Sequence, residues 1–190
     1  MALAADLGPV LVVDDGSTDT TAQVALDAGA TVLSIVENVG KGGAVFAGTS
    51  VLKTDVVLMV DADLTGLTPQ HLRDLVAPLL AGTTDMTRGV FAGGRWRTTT
   101  VQRLTPQLNG QRAILREKLL SVPGLPESRY GIEVAITEQC KQAGWRTQDV
   151  ALPGVSQVMK EEKLGFRRGF RTRVLMYRDI LRTLLRNLSR

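Results

Sequence analysis

The strongest constraint on the fold is a regular alternation of apolar, β-branched runs with stretches of helical periodicity. Strands that alternate with helices are typical of right-handed βαβ units, which build a mostly parallel sheet covered by helices. The pattern therefore predicts an α/β fold over the first half of the chain. In chain order the predicted elements are strand 9–13, helix 19–29, strand 31–37, helix 41–53, strand 55–63, helix 68–82 and strand 84–91.

Beyond residue 91 the alternation breaks, and the sequence predicts a polar loop at 92–104. Two helices are expected at 110–122 and 132–144, and a strand follows at 145–158. The stretch 165–190 has an apolar stripe with arginines on its opposite face. We therefore expect one domain over residues 1–164 and a basic amphipathic helix over 165–190.

Charge is distributed unevenly along the chain. From residue 163 onward one Lys and eight Arg face the single acid Asp179, which gives +8; because the whole chain carries +4, the first 162 residues carry −4. The C-terminal helix is expected either to pack on the domain or on a second subunit, giving a homodimer, or to lie on an anionic membrane surface. Nucleic acid is not an expected partner, because the body is acidic and aromatic residues make up only 4% of the chain.

The rest of the composition points to the cytoplasm. Cys140 is the single cysteine, which excludes an internal disulfide framework and agrees with a reducing compartment. No apolar run approaches the roughly 20 residues that span a bilayer. The first residues lack the basic leader of a signal peptide. A cytoplasmic protein is predicted, and a membrane-bound C-terminal helix would place it at the inner face of the membrane.

Two predicted strands end in pairs of acids: Asp14 and Asp15, then Asp61 and Asp63. The carboxyl ends of parallel strands share one edge, where open α/β folds bind ligands. Four converging carboxylates repel one another unless a divalent cation or hydrogen-bond donors compensate them. Alternation along an extended strand would direct Asp61 and Asp63 to one side, an arrangement that suits Mg²⁺ or Mn²⁺. The alternative is that these acids only solvate the strand ends.

Two classes of protein have acids at these positions. A phospho-accepting receiver domain has an acidic pair after its first strand and an acceptor Asp after its third, which Asp61 would supply. A receiver also needs a Lys-Pro dipeptide after its fifth strand, and this sequence contains none. It has no use for the second acid, Asp63, or for the loop "ENVGKGGAV".

Three sequence motifs indicate a second class of protein. "VVDDGSTDTT", "NVGKGGAV" and "VLMVDADL" resemble, in order and spacing, the motifs of family 2 glycosyltransferases of the GT-A fold. They are most similar to dolichyl-phosphate-mannose synthase-like and related prokaryotic enzymes, and the resemblance extends from about residue 10 to 165. It implies a nucleotide-diphospho-sugar donor, Mg²⁺ or Mn²⁺ as cofactor, and transfer of the sugar to a lipid-phosphate or small-molecule acceptor.

The resemblance also implies a donor site. The first acid pair would hold the nucleoside, with Asp15 as the more direct contact, and Lys41 would offset phosphate charge. Asp63 would bind the metal directly, while Asp61 would bind either ribose or metal. Gln157 stands where relatives often carry a late histidine ligand. The residues implied for nucleotide-sugar binding are Asp14, Asp15, Gly16, Ser17, Lys41, Gly42 and Asp61.

On the acceptor side the resemblance points to Arg112, Arg129, Tyr130 and Glu133. Glu133 is the candidate base or partner of the acceptor hydroxyl, and Arg112 would orient an acceptor phosphate. These two, Arg112 and Glu133, are the candidate catalytic residues. The alternative makes both of them exposed helix residues.

Three departures from the family pattern qualify these expectations. Relatives have an earlier strand that ends in a Pro-x-x-Asn-Glu type segment, so we expect either a start placed too far downstream or a truncated relative. Gln157 replaces the histidine ligand, and the only histidine, His71, is expected at the surface of a helix. No base motif is evident, which leaves the stereochemistry open. An inactive remnant that acts as a binding or scaffold protein is the alternative function.

Overall fold

Three groups of hydrogen-bonded strands organise the computed structural model, which describes residues 7–92 and 110–157. Helices connect most of these strands, so the predicted α/β class is observed. In chain order the elements are β1 (Leu11–Asp15), α1 (Thr21–Asp27), β2 (Thr31–Ile35), α2 (Gly40–Val51), β3 (Val56–Met59), β4 (Leu64–Thr65), α3 (Pro69–Leu80), β5 (Met86–Ala92), β6 (Arg112–Leu115), α4 (Arg116–Leu120), a 3₁₀ helix (Pro126–Gly131), α5 (Ile132–Gln142), β7 (Thr147–Pro153) and β8 (Ser156–Gln157).

Most strands run in the direction that the alternation predicts, and one reverses. β1 and β2 pair in parallel. The second sheet has the order β3-β6-β5-β7, in which β6 is antiparallel to both β3 and β5 while β5 and β7 are parallel. Consequently β3, β5 and β7 share one direction and β6 alone opposes them. β4 and β8 form a short antiparallel ladder.

The reversed strand corrects one expectation. Residues 110–122 were expected to form a single helix because "QRAILREKLL" is rich in good helix formers. Instead, residues 112–115 form β6, and the helix begins only at Arg116. Ala113 and Ile114 are fully buried between β3 and β5. Burial in this central position and pairing on both sides outweigh local helix propensity.

The four-stranded sheet separates two apolar layers, as side-chain alternation along a strand requires. Ile114 faces a layer that includes α4 and α5, whereas the neighbouring Ala113 faces α3. The first layer contains Val57, Met86, Ile114, Leu119, Val122, Leu125, Ile132, Ala135, Ile136, Cys140 and Trp145. The second contains Leu75, Leu79, Phe91, Ala113, Leu152 and Val155.

Helix α2 packs on both sheets. A Cβ added at Gly48 would lie 2.7 Å from Cγ2 of Val13 on β1, so the helix approaches this strand closely. One turn earlier, Val45 packs against the layer that contains Val57 of β3. α2 therefore fixes β1 relative to the larger sheet, and its first turn lies at the functional site described below.

Two helix starts differ from expectation. Helix α1 begins at Thr21 with Thr20 as N-cap, and Asp19 accepts hydrogen bonds from the Thr21 amide and hydroxyl rather than capping the helix itself. His71 is buried and not at the surface, and it forms a capping box at the start of α3. Its Nδ1 accepts from the Thr68 amide, and the Thr68 hydroxyl accepts from the His71 amide, both at 3.3 Å.

No helix in the described ranges is both long and apolar enough to cross a bilayer. The amphipathic helix predicted over 165–190 and most of the loop predicted over 92–104 lie outside the described residues. The membrane-surface and homodimer expectations for that helix therefore stay predictions.

An ion pair between the buried Asp85 and the largely exposed Arg146 side chain joins the starts of β5 and β7. Asp85 accepts from the Arg146 amide at 2.8 Å and from its guanidinium at 3.0 Å, and Lys118 of α4 lies 3.5 Å from the same carboxylate. The Lys118 ammonium also stands 5.5 Å from the centre of the Trp145 ring. Hydrogen bonds from the Arg146 side chain are the main cause that lowers the pKa of Asp85 from 3.8 to about 2.

This depressed pKa predicts a pH-dependent stability. The contribution of Asp85 is fully present above the unfolded value near 3.8 and is lost as the pH falls through about 2. Asp85→Asn should therefore lower the free energy of unfolding by about 2 kcal/mol at neutral pH, and the difference from wild type should vanish towards pH 2. Urea unfolding at a series of pH values measures it.

The matched control is Asp74→Asn on the exposed face of α3, which should change stability by no more than about 0.5 kcal/mol. A difference between wild type and Asp85→Asn that stays constant from neutral to acid pH would contradict the assignment.

Candidate functional site

The reversed strand β6 brings two distant parts of the chain together. Met59, the last residue of β3, pairs with Arg112, the first residue of β6, so the chain that leaves β3 meets the chain that enters β6. The Gln111 side chain donates from Nε2 to Oδ2 of Asp61 at 2.8 Å. A Cβ added at Gly110 would lie 2.5 Å from the same oxygen, so a larger residue here would displace the Asp61 carboxylate.

An ion-pair network occupies this junction. The Lys41 ammonium, in the first turn of α2, donates to Oδ1 of Asp61 at 2.9 Å and to Oε1 of Glu133 at 2.6 Å. Burial alone would lower the pKa of Lys41, but the charges of Glu133 and Asp61 outweigh it and raise that pKa above its ordinary value. Lys41 therefore stays an ammonium, linking the turn after β3 to helix α5.

Glu133 is buried in the first turn of α5 and is 8% exposed. A carboxylate is stabilised there by the positive end of the helix dipole. The alternative that Glu133 is an exposed helix residue is therefore wrong.

The first acid pair has a local explanation. Asp14 is buried, and its Oδ1 accepts from the Ser17 amide at 3.1 Å, which closes the turn after β1. Both oxygens of Asp15 cap the start of α2, accepting from the amides of Val39 and Gly40 at 2.8 Å each. The two carboxylates thus accept hydrogen bonds from different backbone amides, one in the turn after β1 and two at the start of α2. The turn between them and α1 uses Gly16 at φ +75°.

The "DAD" motif stands on a turn and not on a strand. β3 ends at Met59, so the expectation that Asp61 and Asp63 alternate along an extended strand is wrong. Asp63 directly precedes Leu64 of β4, which pairs with Gln157 of β8. The backbone register therefore brings position 157 close to Asp63, although the two are far apart in sequence. Among the described residues no cluster of three or more His, Cys, Asp or Glu side chains could hold a metal ion.

Arg112 lies under the site and not at its surface. It is fully buried on β6, where its guanidinium donates to the Thr137 hydroxyl of α5 at 3.2 Å. Burial lowers the pKa of Arg112 to about 10, which leaves it charged at neutral pH. The alternative that Arg112 is an exposed helix residue is therefore wrong, while its predicted role towards an acceptor phosphate stays a prediction.

The glycines of α2 allow the 3₁₀ helix to approach closely. A Cβ at Gly42 would overlap the Ser128 hydroxyl and the Leu125 carbonyl oxygen, and one at Gly40 would lie 3.1 Å from Cβ of Arg129. Arg129 is the one non-glycine residue with positive φ in the described ranges, at φ +48° and ψ −118°. Its guanidinium donates to Oδ1 of Asn38 at 3.3 Å. The candidate acceptor-side segment therefore lies directly against the candidate donor loop.

The structure thus gathers Lys41, Asp61 and Glu133 into one cluster, with Tyr130 partly exposed nearby in sequence. Gly110 and Gln111 also belong to this cluster, and sequence reasoning missed both. The apolar run "RAIL" that follows them is the pattern that could have indicated their position. A strand over "RAIL" antiparallel to "VVLM" places both residues beside "DAD".

Comparison with known proteins agrees with this arrangement. The model of the family described as glycosyl transferase family 2 matches residues 9–139. Glucosyl-3-phosphoglycerate synthase of Mycobacterium tuberculosis (strain ATCC 25618 / H37Rv) is 31% identical over 162 residues, which cover 67% of this chain and 49% of the relative. An uncharacterized glycosyltransferase of the same strain is 33% identical over 156 residues, covering 74% of this chain and 70% of the relative.

Solved structures are similar as well. The crystal structure of the Mycobacterium tuberculosis synthase in complex with Mn²⁺, UDP and phosphoglyceric acid superposes with a TM-score of 0.70 at 26% identity, covering 98% of this chain and 70% of that one. The complex of that synthase with Mn²⁺ and UDP-glucose gives a TM-score of 0.68 over 93% and 67%.

These likenesses confirm the predicted GT-A fold. The chain spans about half the length, 49%, of the curated synthases it matches. With most of its described residues inside the matched range, from β1 into α5, the chain belongs to glycosyl transferase family 2.

Proposed function

We propose that this chain binds a uridine-diphospho-sugar together with Mn²⁺ or Mg²⁺ and transfers the sugar to a small phosphorylated acceptor. The observation that carries this proposal is the contact of Lys41 with both Asp61 and Glu133. It joins the "DAD" turn, expected on the donor side, to the helix expected on the acceptor side. The similar synthase has been solved with UDP-glucose and with phosphoglyceric acid, which favours these ligand classes.

The donor side fits a divalent ion. Asp63 supplies a carboxylate on the turn, and the register of β4 and β8 puts residue 157 close by. Mg²⁺ is usually held by one or two carboxylates together with substrate phosphates, so the described residues need not contain a complete cluster of three ligands. When bound, the ion would neutralise charge on the diphosphate leaving group. We assign Asp63 as its ligand, because it stands on the turn directly before β4 and close to residue 157.

The nucleoside is assigned to the turn after β1. Asp14 closes this turn and Gly16 gives it a backbone that a ligand can approach. Ser17 is exposed at its tip and offers a hydroxyl. Asp15 both caps α2 and borders the turn, so we assign it a positioning role as well as the nucleoside contact implied by the family resemblance.

The acceptor is assigned to the 3₁₀ helix and the first turn of α5. Glu133 would accept a hydrogen bond from the acceptor hydroxyl, and Lys41 holds its carboxylate in place. Arg129 and Tyr130 would contact the acidic part of a small acceptor. Arg112 supports α5 from below through Thr137. A lipid phosphate is the competing acceptor, and the predicted membrane-surface helix over 165–190 would fit it.

Donor binding tests the metal assignment. Asp63→Ala should weaken Mn²⁺-dependent binding of UDP-glucose by at least about tenfold, because the ion loses its protein carboxylate. Isothermal titration with and without Mn²⁺ measures the effect. Asp74→Ala, an exposed acid on α3, is the matched control and should bind like wild type. Equal affinities for wild type and Asp63→Ala would contradict the assignment.

Transfer tests the acceptor side. Glu133→Gln should lower kcat for glucose transfer from UDP-glucose to phosphoglyceric acid by about a hundredfold or more, while donor affinity changes little. Mass spectrometry of the products with phosphoglyceric acid or a polyprenyl phosphate as acceptor identifies the acceptor class. Transfer only to the polyprenyl phosphate would reverse the acceptor assignment. Donor binding without transfer to any acceptor would favour the inactive binding protein.

A further inference from the structure

The Lys41 ammonium occupies the position of a cation between two acids. It lies 2.9 Å from Oδ1 of Asp61 and 2.6 Å from Oε1 of Glu133, and its side chain is one-third exposed at 33%. These carboxylates come from elements separated by many residues, and the described structure joins them through this one ammonium. Lys41 thus compensates the charges of Asp61 and Glu133 and holds them together, as a bound metal ion would.

Asp61 is held on both oxygens. Lys41 donates to Oδ1, and Gln111, itself buried, donates to Oδ2 at 2.8 Å. The backbone at Gly110 closes in from the β6 side, since a Cβ there would lie 2.9 Å from the Lys41 Nζ. A cation that approached Asp61 would therefore have to displace one of these donors or stand beside the ammonium.

We propose that Lys41 is a resident counter-ion that weakens the binding of a divalent ion in the absence of nucleotide, so that the ion binds together with a nucleotide diphosphate. The inference deepens the proposed function and rests on it for the identity of the ligand. It adds a second role to the expectation that Lys41 offsets phosphate charge.

The physical reason is charge balance. Lys41 already compensates one of the two acids it touches, so a divalent ion would gain less from Asp61 and would be repelled by the ammonium at short range. A diphosphate brings negative charge that attracts both the ion and Lys41. Once it is present, the repulsion between the two cations is offset, and Asp63 can hold the ion while Lys41 stays beside it.

Mn²⁺ binding measured without nucleotide tests this inference directly. Lys41→Met should raise the affinity of the nucleotide-free protein for Mn²⁺ roughly tenfold, the size expected when one nearby like charge is removed. Lys41→Arg keeps the charge and should resemble wild type. Lys53→Met, which removes an exposed lysine just beyond the other end of α2, is the control for net charge. Electron paramagnetic resonance of free Mn²⁺ gives the affinities, and each titration is repeated with UDP.

An unchanged Mn²⁺ affinity in folded Lys41→Met, with UDP absent, would overturn the inference, as would an equal rise in Lys53→Met. Circular dichroism checks folding, and Lys41→Gln replaces the methionine variant if that does not fold. A wild type in which UDP fails to strengthen Mn²⁺ binding would instead count against the proposed function. The comparison of Lys41→Met with wild type in the absence of UDP still decides the role of Lys41.

Discussion

The salt bridges of Lys41 to Asp61 and Glu133 are the interaction on which the candidate site depends. They connect the turn after β3, the first turn of α2 and the first turn of α5, three segments that are far apart in the sequence. Buried ion pairs contribute little to stability on average, because desolvation offsets much of the attraction. Their value here is geometric, since one ammonium fixes the relative positions of two carboxylates and the helices that carry them.

The scaffold brings these elements together through one reversed strand and a set of glycines. Because β6 runs against β3 and β5, its amino end lies at the carboxyl edge of the sheet, beside Asp61. Gly40 and Gly42 then permit the 3₁₀ helix to lie directly on α2. Family membership explains why such a scaffold recurs, but the contacts of this chain explain how its own side chains are held.

Much of the fold followed from local pattern, whereas the site followed only in part. Apolar period and turn residues are local signals, so the alternation predicted β1, β2, β3 and β5 and the helices between them, whereas the two-residue β4 was not predicted. β6 was not predicted, because its residues favour a helix locally and are held in an extended conformation by pairing with β3 and β5. Lys41, Asp61 and Glu133 were each singled out, yet their contact could not be foreseen, because Lys41 and Glu133 are 92 positions apart and meet only through tertiary packing.

The cap that Asp15 places on α2 has a mechanical consequence. Its carboxylate accepts hydrogen bonds from the amides of Val39 and Gly40, and the next residue along the helix is Lys41. Asp15 therefore couples the turn after β1 to the backbone that carries the Lys41 ammonium. A ligand bound at that turn would therefore also constrain the position of the charge at the centre of the site.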